Sequence, residues 1–139
     1  MASVRLFAAA REAAGRAQDE VDATTVGDVL DEACRRYAAV SGDANPIHVD
    51  DEAARAVGLP GVILHGMCTM ALCAKAVVDS VGGGDPTRLR RLAVRFYRPV
   101  YPGNDLVTSL YGVEPGVFAF EASSAGKVVV RDGRAELGG

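Results

Sequence analysis

Three observations in the sequence predict an α+β domain. The run from Gly66 to Val81 is almost wholly apolar, small or helix-forming, with Lys75 and Asp79 as its only charges. After it, four segments alternate apolar and polar residues between breaks rich in Gly and Pro. Before it, a polar stretch of turn-formers holds both histidines of the chain. Alternation at period two reads as half-buried strands, and strands joined through short turns make an antiparallel sheet.

From the N-terminus, SVRLFA (3–8) alternates well enough for a strand, REAAGRAQ (11–18) is a turn region, and DEVDA (19–23) suits a second strand. TTVGDVLDEACRRYAAV (24–40) reads as a helix capped by Thr24 or Thr25, with Val26, Leu30, Ala33 and Tyr37 along one face. Ser41-Gly42-Asp43 and Asn45-Pro46 then form a loop, because Pro46 disfavours helical backbone at Asn45. Asp50, Asp51 and Glu52 suit the first turn of a short helix that Gly58 ends. The apolar run 66–81 is long enough to be a buried helix, and GGGDPT (82–87) breaks it. Strands follow at 88–100, 105–113, 117–124 and 128–137, with turns at YPGN, EPG and AGK. With one N-terminal strand, the sheet counts about five.

A chain of 139 residues reads as a single domain able to bury a real core. Its 49% hydrophobic and 24% charged residues are those of an ordinary globular protein. A formal charge of −3 gives no reason to expect a nucleic-acid partner. No apolar run reaches membrane-spanning length, and the N-terminus has no basic region followed by an apolar one. Cys34, Cys68 and Cys73 show no metal-ligand spacing, and the latter two read as small core residues. The expectation is a reduced, cytoplasmic protein without a metal.

The chemistry-bearing residues concentrate in Tyr37–Gly66. Asp43, Asn45 and His48 lie within six positions, on an irregular loop of the kind that displays reactive groups. A carboxylate, an amide and an imidazole suit the binding and activation of one water, and imidazole titrates nearest neutrality. Gly66 opens the apolar helix, where unpaired backbone N–H groups and the helix dipole suit a developing oxyanion.

Two blocks carry a resemblance. Tyr37-x-x-x-Ser41-Gly42-Asp43-x-Asn45-Pro46-x-His48, followed by Leu59-Pro60-Gly61-Val62-Ile63-x-His65-Gly66-Met67, resembles the MaoC-like hydratases, or hydratase 2 family, over about residues 36–137. The resemblance implies the hotdog fold, a long central helix wrapped by an antiparallel sheet, usually paired as a dimer. It implies reversible hydration of 2-enoyl thioesters to R-3-hydroxyacyl thioesters, with coenzyme A or a carrier-protein pantetheine as part of the substrate and no separate cofactor. Asp43 and His48 match the catalytic pair, Asn45 the supporting amide, and Gly66 the backbone donor to the thioester oxygen. Some bacterial members carry a serine eight residues after that glycine, where this chain has Ala74, so no helper role is carried to that position.

His65 and Met67 flank Gly66 and are candidate substrate contacts, His65 also reading as a hydrogen-bonded residue that fixes the loop. Among Arg88, Arg90, Arg91, Arg95 and Arg98, Arg91 and Arg95 are candidates for coenzyme A phosphates or an acidic carrier protein. The same cluster also reads as the solvated face of an edge strand. A homodimer is the implied assembly.

Residues 4–37 are similar to the start of the MoaD/ThiS sulfur carriers, and the chain ends in Gly138-Gly139, which those carriers need for thiocarboxylate chemistry. The carrier's middle and C-terminal strand are missing, and the hydratase blocks occupy their place. Two alternatives to the hydratase stay open: a non-catalytic or heterodimer-partner thioester-binding subunit, and a sulfur-carrier-like role using Gly139.

Overall fold

The computed structural model describes residues 2–5, 18–21 and 26–139. It divides into two compact units, Met1–Cys68 with Val100–Gly103, and Thr69–Pro99 with Asn104–Gly139.

The first unit opens with strands β1 (Ala2–Arg5) and β2 (Gln18–Val21), paired antiparallel with Ala2 opposite Val21. Helix α1 follows over Val26–Ser41. The expected caps Thr24 and Thr25 lie outside the described residues. Cys34 and Ala38 are buried along α1. Gly42 ends it with φ +77° and an N–H donated to the Ala38 carbonyl at 3.0 Å, a left-handed cap that glycine adopts without strain. A 3-10 turn over Pro46–His48 and helix α2 over Asp51–Ala56 complete the first half. The acidic triplet is structural. Asp50 caps α2 by accepting from the N–H groups of Glu52 (2.8 Å) and Ala53 (3.1 Å), and Asp51 accepts from the Val62 N–H at 2.9 Å.

Helix α3 spans Gly66–Val81, as the apolar run predicts. It is not buried all round: Thr69, Cys73, Val77 and Val78 are buried, whereas Met67 is 61% exposed. Thr69, Cys73 and Val77 recur every fourth residue, so one stripe of the helix is covered. The sequence alone does not reveal this, because Ala, Cys and Val fit a half-covered face as well as a core. Lys75 pairs with Asp79 along the surface. Among the described residues no helix is long and apolar enough to cross a membrane.

After a 3-10 turn at Pro86–Arg88, the second unit forms a four-stranded antiparallel sheet. Its strands are β3 (Leu89–Phe96), β4 (Leu106–Glu114), β5 (Val117–Ser124) and β6 (Lys127–Leu137), in the order β3-β6-β5-β4. β1 pairs with β2 alone among the described residues, a neighbour close in sequence whose pairing costs little loop entropy. The β5–β6 hairpin turns on Ala125 (φ 49°) and Gly126 (φ 71°), the paired positive angles of a two-residue loop matched to strand twist. On one face, Thr108, Ala122, Val130 and Phe96 line up across the four strands, and Cys73 Sγ of α3 lies 3.9 Å from Thr108 Oγ1. Phe120 is 1% exposed on that face, and Val130 and Ala135 are fully buried.

Gly133 makes this packing possible. It sits opposite Phe120, and a Cβ there would lie 2.5 Å from the Phe120 carbonyl oxygen and 2.7 Å from its ring. We expect Gly133→Ala to lower unfolding stability by about 1–3 kcal/mol through overpacking, read as a lower denaturant midpoint at unchanged slope.

Candidate active site

The loop after α1 is built by a repeated local hydrogen bond. The Asp43 N–H donates to Ser41 Oγ (3.2 Å), the Asn45 N–H to Asp43 Oδ1 (3.3 Å), and the Ile47 N–H to Asn45 Oδ1 (3.3 Å). Each bond links a short polar side chain to the backbone two residues on, the turn chemistry for which Ser, Asp and Asn are suited. Asn45 has φ −56° and ψ 125°, the extended backbone that a following proline demands. Its side-chain oxygen thus caps the Pro46–His48 turn, so the supporting amide holds in place the turn that carries His48.

His48 is buried at 7% exposure. Its Nδ1 lies 2.8 Å from the Ile63 carbonyl oxygen, which can only accept, so Nδ1 carries the proton. In the neutral ring Nε2 is therefore a lone pair, and it lies 3.8 Å from Asp43 Oδ2. The Asp43 carboxylate is half exposed. The strand-like segment supplying Ile63 is itself held by two bonds: the Ile63 N–H donates to the Ile47 carbonyl (3.1 Å), and the Leu64 N–H to the Val100 carbonyl (2.7 Å).

His65 closes the arrangement. It is 0% exposed, its ring stacks on His48 with centroids 4.0 Å apart at 24°, and its Nε2–H donates to the Asp43 carbonyl at 3.0 Å. The substrate contact expected of His65 is not what its burial permits, since a ring with no exposed surface meets only protein. Tyr37 packs on the same ring at 4.8 Å, tilted 51°. Burial lowers the His65 proton affinity from its ordinary 6.5; the Asp43 carbonyl opposes this, and His48 adds to it. Burial also raises the Tyr37 hydroxyl, with Cys68 and Asp43 adding, and pushes the Cys68 thiol up to about 11.

Asp43, Asn45, His48 and His65 thus come together, and Gly66 follows His65 directly as the first residue of α3. Among the described residues its N–H has no backbone acceptor. Met67, beside it, is solvent-exposed. An open cleft of about 280 Å³ lies against His48, lined also by Arg35, Val49, Asp50, Asp51 and Val62. Arg91 and Arg95 belong to the sheet unit, where they face Glu136 at 3.4 Å and Asp132 at 3.0 Å. The sequence pattern does not single out the Ile63 carbonyl or the Tyr37 ring as parts of the site. A backbone carbonyl leaves no trace in a sequence, whereas Tyr37 stands in the first motif block, where its place in the spacing is the signal that could have found it.

A MaoC like domain model matches residues 9–131. This chain belongs to the MaoC-like domain family. The match takes in most of the carrier-like segment. Over 104 residues, 70% of this chain and 36% of the relative, it is 39% identical to 3-hydroxyacyl-thioester dehydratase Y of Mycobacterium tuberculosis. The MaoC-like dehydratase of Phytophthora capsici superposes with a TM-score of 0.73 at 33% identity, over 78% of this chain and 37% of that one. The R-hydratase PhaJ1 of Pseudomonas aeruginosa superposes with a TM-score of 0.62 at 34% identity, over 78% of this chain and 72% of that one. The chain spans about a third or less of the length of the curated relatives it matches. The α+β architecture of this MaoC-like domain is the hotdog fold that the motif blocks implied.

Asp43, His48 and His65 also bring ligand-type atoms within 4.8 Å of one another. In each imidazole one nitrogen already faces a backbone carbonyl, His48 Nδ1 that of Ile63 and His65 Nε2 that of Asp43.

A buried His whose proton affinity is lowered on folding binds fewer protons folded than unfolded in the window below 6.5. Stability is therefore whole above that pH and is lost as pH falls through the lowered value. Unfolding measured across this range should show a decline that flattens in His65→Phe. Separately, Asn45→Ala should cost about 1 kcal/mol by removing the cap of the His48 turn, seen in chemical denaturation.

Proposed function

We propose that this domain adds water reversibly to 2-enoyl thioesters, giving R-3-hydroxyacyl thioesters. The observation that carries this is the 3.8 Å gap between His48 Nε2 and Asp43 Oδ2, with the far nitrogen of the ring tied to Ile63. The gap is too wide for a direct hydrogen bond and admits one water ~2.8 Å from each atom. The names of the relatives, a 3-hydroxyacyl-thioester dehydratase and an R-hydratase, support the substrate class.

In this mechanism the water donates to both groups. Its oxygen attacks C3 of the enoyl thioester while the pair takes up one proton, and the pair returns one proton to C2. Hydroxyl and hydrogen are thereby added and the pair is restored. Electrons pushed toward the thioester carbonyl during attack are stabilised by the Gly66 N–H at the positive end of α3. Acid–base chemistry on an activated thioester calls for no metal and no redox cofactor.

Arg91 and Arg95 are proposed contacts for the phosphates of coenzyme A or for an acidic carrier protein, exchanging their present carboxylate partners for the ligand's anions. The proposal extends to a homodimer in the cytoplasm. Edge strand β4 exposes Val107, Tyr111 and Val113, apolar surface that suits pairing. Cys68 and Cys73, which form no disulfide, suit a reducing compartment. Sedimentation of the chain measures the assembly.

The deciding experiment follows loss of the enoyl-thioester absorbance with crotonyl-CoA. Asp43→Asn and His48→Ala should each slow hydration by about 100–10,000-fold, the range supplied by a positioned acid or base. Asp43→Asn turning over at the parent's rate would defeat the mechanism. A folded parent that binds crotonyl-CoA without hydrating it would be a thioester-binding subunit instead.

A further inference from the structure

We propose that His65 is a positioning residue for the Asp43–His48 pair, holding both members from behind through two different interactions; the proposal rests on the hydration assigned to that pair above. The two members need outside support. The side-chain bonds that shape the Asp43 loop all reach only two residues along the chain, so they set local turns without anchoring the loop. The hydrogen bond from His65 Nε2 to the Asp43 carbonyl crosses 22 residues of sequence and ties the loop to the residue before α3. The face of the same ring bears on His48 at 4.0 Å.

One rigid, fully buried imidazole therefore sets the main chain of the acid and the plane of the base at once. Tyr37 packs against it from α1, the helix that leads into the Asp43 loop. His65 has no exposed surface and does not reach substrate, so its effect runs through its neighbours. Burial favours the neutral ring, whose single N–H the Asp43 carbonyl places on Nε2. Losing that donor frees the Asp43 loop to shift its carboxylate relative to His48 Nε2. A misplacement of about 1 Å at a reacting group costs on the order of 100-fold.

Two substitutions separate the two interactions. His65→Phe keeps a ring face on His48 and loses the donor; His65→Gln keeps a donor near the Nε2 position and loses the ring. For crotonyl-CoA hydration, His65→Phe should lower kcat by about 100-fold with KM little changed, and His65→Gln should recover most of that loss. On an Asp43→Asn background His65→Phe should add almost nothing, because its effect passes through Asp43. A His65→Phe kcat equal to the parent's overturns the proposal. So does a full additional loss on the Asp43→Asn background, which marks a merely structural residue.

Two readouts need no turnover. In the parent, imidazole 15N spectra should show His65 protonated on Nε2, and a proton on Nδ1 overturns the proposal. Amide exchange at Asn45 and Ile47 should quicken about tenfold in His65→Phe and stay near the parent's rate in His65→Gln, in keeping with one lost hydrogen bond; unchanged exchange in His65→Phe overturns it. A parent that hydrates no enoyl thioester removes the assigned chemistry, while these two measurements still decide whether His65 holds the pair.

Discussion

The hydrogen bond from His48 Nδ1 to the Ile63 carbonyl is the constraint on which the candidate site depends. At 2.8 Å it joins the 3-10 turn to the segment that leads into α3. It selects the tautomer, and by doing so it decides which nitrogen faces Asp43 Oδ2. Without it the ring could turn, and the lone pair would have no fixed direction. The bond is partly buried beside the buried ring, where leaving the carbonyl or the N–H unpaired would be costly. The fold therefore keeps it for its own stability, and the chemistry inherits the orientation.

Around that bond the site is assembled from groups with a structural duty each. Ser41, Asp43 and Asn45 shape the loop through their side chains. Asp50 and Asp51 cap a helix and pin Val62, which places Ile63. Asp43 alone serves both ends: Oδ1 accepts the Asn45 N–H, and Oδ2 faces His48. A carboxylate with one oxygen committed to the backbone is held in orientation while the other stays available. This division of labour holds a half-exposed carboxylate in place beside a buried imidazole.

The sheet unit follows a different logic, in which size governs. Phe120 is the largest of its fully buried side chains and needs a glycine opposite it at Gly133. The chain end is tied into the same unit: the Gly138 N–H donates to the Arg88 carbonyl at 2.7 Å, and Arg88 Nε donates to the Gly138 carbonyl at 3.1 Å. The penultimate glycine, which suggested a sulfur-carrier tail, is thus engaged in backbone pairing at the start of β3.

Much of this was legible in the sequence. Helix α3 and strands β4 to β6 fall where periodicity placed them, because apolar spacing is a local property that survives folding. The Ser-Gly-Asp-x-Asn-Pro-x-His spacing announced the loop, since each polar side chain bonds a backbone group only two positions away. What the residues alone determined was therefore most of the elements and the loop that carries Asp43 and His48. Tertiary structure decided the rest: that β1 pairs with β2, that α3 buries a single stripe among the described residues, that the Ile63 carbonyl chooses the tautomer, and that His65 lies behind the pair. Each of these turns on groups far apart along the chain or on backbone atoms that every residue shares, and no pattern of side chains encodes either.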